Sequence, residues 1–196
     1  MSEIWLSHEH VVLVIFFKPH KRISDDDLVT ILKTVDKMPG WHGSMMRDII
    51  ALYLSSGLRP RELRLAQLKD LNLKKKTIFV RHPKEENSWA STQEVTLVMD
   101  ELFPLIERYV KERDEYLRAI GLPKCTALFP NVLKGEDGFY SEKTFNQIKT
   151  KVENLSGIHF RLKDFRPTLA SRVESHDPNV LPSMSAQLRH SSTKTT

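Results

Sequence analysis

The chain has 196 residues, 40% hydrophobic and 28% charged, which is enough apolar material for one well-buried domain and too few glycines and prolines for low complexity. Its formal charge of +5 suits a polyanionic partner without requiring one. A single cysteine, Cys125, excludes a disulfide framework and a cysteine-rich zinc site, and the longest apolar run is too short for a membrane span and lacks the flanks of a signal peptide, so a cytoplasmic protein is expected.

Residues 1–22 are β-branched and aromatic with no helical period, and read as a short strand or as the remnant of something larger upstream. They are set apart from a main domain over 23–196. From Ser24, a plausible N-cap ahead of Asp25, Asp26 and Asp27, the pattern turns helical, with Leu28, Ile31, Leu32 and Val35 on one face and Gly40 as the stop. A buried central helix is expected over 42–56, ended by Gly57, and a short one after Arg59, with Pro60 at its first position. Short strands are expected at 70–73, 77–81 and 94–98. Asp100 is read as the cap of a long helix to Ile120, whose inner side carries Leu102, Ile106, Tyr109, Val110, Leu117 and Ile120. After a connector over 122–140, Ser141 caps a helix to Leu155, and two more helices are expected over 164–174 and 183–189. The sum is an α+β domain, mainly helical, with a small antiparallel sheet.

Three separated motifs carry the chemistry. The first is SSGLRPRELRLAQLKDLNL, residues 55–73, which puts Arg59 where a buried helix ends and a new one begins, so that backbone N–H groups there also favour an anion. The second is RHPKEENSWASTQEVTL, residues 81–97, a hairpin pattern with Lys84 in its turn. The third is FRLKDFRPTLASRVESHDPNVLPSMSAQLRHSSTKTT, from residue 160 onward, in which Lys163 and Arg166 are spaced to project from one face of a helix start.

This ordered set resembles the tyrosine recombinases, the phage-integrase family of DNA strand transferases, over residues 25–196. Gly57, Leu58, Arg59, Glu62, Leu63, Leu68 and Asp70 fall in register with the family's first arginine box. Lys84 matches the hairpin lysine, with Glu85 where the family often has glycine. Lys163 and Arg166 match its H-x-x-R, with lysine replacing histidine. Leu188, His190, Ser191 and Ser192 match L-G-H-S-S, with Arg189 replacing glycine.

The resemblance implies the catalytic-core fold of DNA breaking-rejoining enzymes, with a three-stranded antiparallel sheet. It implies Arg59 and Arg166 as clamps on the non-bridging oxygens of a scissile phosphate, Lys84 as proton donor to the leaving 5′ oxygen, His190 as hydrogen-bond donor to the phosphate and Lys163 as an aid to proton transfer. Arg61, Arg64, Arg161 and Lys194 are candidate DNA contacts, and Lys69, Lys74, Lys75 and Lys76 are either phosphate contacts or a solvated face. The implied partner is double-stranded DNA, on which the family assembles as four protomers. No cofactor, metal or membrane is implied, and a nucleoid location follows when DNA is bound.

The family's nucleophile is a tyrosine shortly after the histidine. None of Tyr53, Tyr109, Tyr116 and Tyr140 occupies that place, so this chain as written is expected not to cut DNA covalently. The competing reading is a non-catalytic DNA-binding module or decayed remnant. A type IB topoisomerase shares the chemistry, but the HSSTKTT segment leans toward integrases. His8, Glu9 and His10 are too few for a metal site, and Trp5, Trp41 and Trp89 are read as packing residues.

Overall fold

The computed structural model describes residues 22–83 and 93–176. Lys84, His190 and Lys194 lie outside the described residues, as do the helix expected over 183–189, the His8-Glu9-His10 group, Trp5 and Trp89.

Helix α1 spans Asp25–Lys37, and the Ser24 hydroxyl accepts from the Asp27 N–H at 3.1 Å, beside three aspartates that favour the positive end of the helix. Leu28, Ile31 and Val35 face the core. The helix ends at Lys37 with Met38 as its C-cap, so Gly40 does not stop it. Gly40 instead opens α2, Gly40–Ser56, with φ at 69°, a left-handed conformation glycine adopts without a Cβ clash.

Helix α2 is the centre of the molecule. From Asp48 to Ser56 every residue is buried, and α1, α4 and α6 pack around it. A helix buried on all sides needs neighbours on all sides. Gly43 permits the tight start, since a Cβ there would lie 2.0 Å from the Met38 carbonyl oxygen. Gly57 ends α2 at φ 62°.

Helix α3, Pro60–Arg64, leads through a 3-10 turn, Leu68–Asp70, into the sheet. Strands β1 (Leu71–Asn72), β2 (Thr77–Val80) and β3 (Gln93–Thr96) form an antiparallel sheet in that order, with Ile78 opposite both Leu71 and Val95. β1 is shorter than its sequence pattern suggests because the 3-10 turn takes up Asp70 before it.

Helix α4, Phe103–Ala119, is preceded by a 3-10 turn, Asp100–Leu102. Asp100 is not its cap. Its carboxylate pairs with Lys76 Nζ at 2.7 Å, and the helix begins at Phe103 and Pro104. Ile120 is not on the inner side either. It follows the last helical residue and is 41% exposed. The buried stripe is Ile106, Tyr109, Arg113 and Leu117.

Arg113, 2% exposed, donates to the carbonyls of Cys125, Ala127 and Leu128 and pairs with Asp114. Those carbonyls belong to a segment that pairs with the chain after α3, through Leu68 N–H to Thr126 O at 2.9 Å and Leu128 N–H to Ala66 O at 2.8 Å. Helix α5, Glu142–Ser156, is capped by Ser141, whose hydroxyl accepts from the Thr144 N–H at 3.1 Å. A 3-10 turn, Leu162–Asp164, then enters α6, Phe165–His176. The N-terminal end of the described chain is fastened to α6, with Arg22 donating to Ser171 and the Ile23 N–H to the Thr168 hydroxyl at 3.0 Å.

Candidate active site and nucleic-acid face

Arg59 is the N-cap residue of α3, two positions after the left-handed Gly57. Its own N–H donates to Glu62 Oε2 at 2.7 Å, and its guanidinium lies 3.1 Å from Glu62 Oε1. The Glu62 side chain is 1% exposed and that of Arg59 26%, so a buried carboxylate grips both ends of an arginine whose head remains accessible.

Arg166 lies in the first turn of α6 and is 8% exposed. Its Nη1 donates to the carbonyl of Gly57, across 109 positions of sequence. The second arginine therefore reaches the turn that carries the first. Lys163 does not share a helix face with Arg166. It sits in the 3-10 turn before α6 and is exposed, while Arg166 is buried. The cause is Asp164, whose buried carboxylate accepts from the Arg161 N–H at 2.9 Å and from the Arg161 guanidinium, closing a tight turn that faces Lys163 outward.

Lys163 faces a cavity of about 240 Å³ between α3, the first turns of α5 and that 3-10 turn. Arg61, Arg64 and Arg161 line it with Lys163, and Pro60, next to Arg59, forms part of its wall. Arg64 Nη1 donates to the Tyr140 carbonyl at 2.6 Å. The hydrogen bond from Arg161 to Asp164 pushes the already high pKa of this guanidinium further up, which fixes its charge. Among the described site residues, then, Arg59 and Arg166 meet at one turn, and Arg61, Arg64, Arg161 and Lys163 share one basic cavity beside it.

Two supports escape a motif reading. Asp70, with a fully buried side chain, accepts from the Gln67 N–H at 2.9 Å and pairs with Arg81 Nε at 2.5 Å, tying the start of β1 to the end of β2. Arg81 precedes Lys84 by three positions. Glu153, near the end of α5, accepts from the Phe160 N–H at 3.0 Å and from Lys149 Nζ at 2.5 Å, which steadies the chain entering Arg161 to Lys163. Burial works against the Glu153 carboxylate, but these bonds and the neighbouring Lys149 and His159 outweigh it and hold the pKa below the ordinary value. The signal for Asp70 is present in the sequence, an acid ahead of a β-rich run ending in arginine, but the pairing needs the register of the sheet.

Three of the tyrosines are unavailable as nucleophiles in this conformation. Tyr53 and Tyr109 are fully buried, and burial raises both phenols well above their ordinary range. Tyr140 is 5% exposed, its phenol pushed up to about 12 by burial first and by Tyr116 second. Tyr116 stacks on Trp41 at 4.6 Å, which makes Trp41 a packing residue. Among the described residues no group of three or more His, Cys, Asp or Glu side chains could hold a metal ion, and no helix is long and apolar enough to cross a membrane.

The fold is a mainly helical α+β domain with a small antiparallel sheet, and solved structures that share it are tyrosine recombinases. XerA recombinase superposes with a TM-score of 0.69 at 17% identity, over 89% of this chain and 57% of that one. XerH recombinase bound to its difH substrate, in a pre-cleavage complex, gives 0.66 at 18% identity, over 90% of this chain and 49% of that one. A lambda integrase dimer bound to a COC′ core site gives 0.62 at 14% identity, over 90% of this chain and 59% of that one. The chain thus spans between half and three-fifths of the length of these solved relatives. No curated protein matches it. The profile of the phage integrase family matches residues 21–196, and the chain belongs to that family.

Proposed function

We propose that this domain grips a scissile phosphate of double-stranded DNA and serves site-specific strand exchange. The observation that carries the reading is the hydrogen bond from Arg166 to the Gly57 carbonyl, which brings the arginine of the third motif to the turn holding Arg59. In-line attack at phosphorus builds charge on the non-bridging oxygens, and two guanidinium forks fixed before the reaction stabilise that charge without reorganising. The roles of Arg59 and Arg166 are the clamp. Lys84 supplies the proton to the leaving 5′ oxygen, His190 donates a hydrogen bond to the phosphate and Lys163 assists proton transfer. Arg61, Arg64, Arg161 and Lys194 hold the DNA backbone on either side. Positioning and fixed charge supply the rate, with no cofactor, and protomers assemble as a tetramer on DNA.

In this reading the nucleophile is a tyrosine other than Tyr53, Tyr109, Tyr116 and Tyr140. The chain as written therefore binds DNA and forms no 3′-phosphotyrosyl adduct on nicked suicide duplexes. Extending the reading frame past Thr196 to a tyrosine restores the adduct, trapped in a denaturing gel. In that extended protein Arg59→Ala or Arg166→Ala lowers adduct formation by about 100-fold or more, the usual effect of removing one preorganised donor. Undiminished adduct in either variant sinks the clamp. Absence of a tyrosine in the extended frame together with salt-sensitive binding points to a non-catalytic module.

A further inference from the structure

The helix that carries Arg166 is fastened along one face to residues 22–25. Thr168, Ser171 and Arg172 have the i, i+3, i+4 spacing of a helix face. Ser171 accepts from Arg22 at 2.6 Å, and Arg172 pairs with Asp25. Both of these links are exposed and hold little by themselves. The third is buried. The Thr168 hydroxyl accepts from the Ile23 N–H at 3.0 Å and donates to the Asp164 carbonyl at 2.8 Å, and Thr168 is 3% exposed. One oxygen thus joins the incoming chain to the residue at which the 3-10 turn passes into α6, two positions before Arg166. A hydroxyl that accepts one bond and donates another fixes its own rotamer and both partners.

We infer that Thr168 is a positioning residue for Arg166: its hydroxyl ties the first turn of α6 to Ile23 and so sets where the second guanidinium stands at the Gly57 turn. The inference rests on the phosphate-gripping reading above and adds to it a residue that need not touch DNA. Two positions on a helix are separated by roughly 200° of arc, so Thr168 and Arg166 hold the first turn from opposite sides. Arg166 reaches the Gly57 carbonyl on one side, and Thr168 holds Ile23 on the other. Phe165 and Leu169 are fully buried and fix the depth of α6 in the core. Apolar burial is non-directional, however, and directional bonds set the rotation of the turn more sharply. Without the hydroxyl, the Ile23 N–H is left buried and unpaired. The strain is relieved when the incoming chain and the first turn move apart, and that movement carries the guanidinium with it.

The test is a double-mutant cycle on the whole 196-residue chain, read as affinity for duplex DNA across a salt titration. Thr168→Val keeps the shape of the side chain and removes both bonds, whereas Thr168→Ser keeps both. With Arg166 present, Thr168→Val weakens binding about threefold or more, the scale of one net hydrogen bond, and Thr168→Ser binds like wild type. Arg166→Ala lowers the salt slope by about 1, and in that background Thr168→Val changes affinity by less than about twofold. Binding is measured at a temperature at which circular dichroism shows every variant folded, and Thr168→Ala replaces the valine in the cycle if the valine variant does not fold. Equal weakening in both backgrounds overturns the inference, because a purely structural residue acts whether or not Arg166 is present. Wild-type affinity in Thr168→Val overturns it too, as does weakened binding by Thr168→Ser. These results leave the phosphate-gripping reading standing. Wild-type affinity and salt slope in Arg166→Ala sink that reading and this one with it.

Discussion

Arg59 and Arg166 are held by different means, and the difference matters for what each tolerates. Arg59 is oriented by a buried carboxylate, whereas Arg166 is anchored by a hydrogen bond to a backbone carbonyl. The Tyr53 ring stacks on Phe165, the neighbour of Arg166, at 5.7 Å, yet its hydroxyl is buried without a hydrogen-bond partner among the described residues. The ring is needed and the hydroxyl is a burden. Tyr53→Phe should raise stability by about 1 kcal/mol in urea unfolding, with DNA affinity unchanged. Asp48 is likewise buried, 1% exposed, with neither oxygen hydrogen-bonded among the described residues. Burial raises its pKa well above 3.8, Arg47 pulls the other way and Glu112 adds to the rise. Between the unfolded and folded values the native state keeps a proton that the unfolded chain has released, so stability falls as pH rises through that window. Asp48→Asn carries no such proton. Its stability relative to the parent should therefore climb as pH rises above the ordinary carboxylate range, and a flat difference would show that Asp48 is ionised in the fold.

At the level of elements, the Ser24 and Ser141 caps, the Gly57 stop and the largely apolar α2 are written locally and could be read without coordinates. Gly40 and Asp100 could not, because each has two local uses. A glycine ends one helix or opens the next, and an aspartate caps a helix or pairs with Lys76 across the sheet. Lys163 and Arg166 were spaced for one helix face, but the buried Asp164 made the first turn 3-10 and parted them. Arg113 was legible in part. Tyr109, Arg113 and Leu117 repeat every four residues, which places an arginine on the inner stripe, but nothing in the sequence shows the carbonyls waiting there. Its guanidinium fixes the segment that pairs with the chain after α3. Arg113→Lys keeps the charge and loses the fork, leaving buried carbonyls unpaired, and should cost about 2–4 kcal/mol by denaturant unfolding. A loss under about 0.5 kcal/mol would mean that lysine or water satisfies those carbonyls.

Across the whole molecule, four cations gather at one place: Arg61, Arg64, Arg161 and Lys163 border a single cavity, while α2 and α4 meet through an aromatic stack. With a net charge of only +5, affinity for DNA depends on that gathering more than on total charge. The logarithm of the binding constant should fall linearly with the logarithm of salt concentration. Arg61→Ala should reduce the slope by about 1, the signature of one lost phosphate contact. An unchanged slope would remove Arg61 from the backbone contacts.

The hydrogen bond from Arg166 to Gly57 also sets a time at which the two arginines are brought together. Its two ends are 109 positions apart, and the later one lies beyond α5. A nascent polypeptide that has left the ribosome only as far as α5 already displays Arg59 but not Arg166. The pair is completed only when α6 docks behind the first half of the fold.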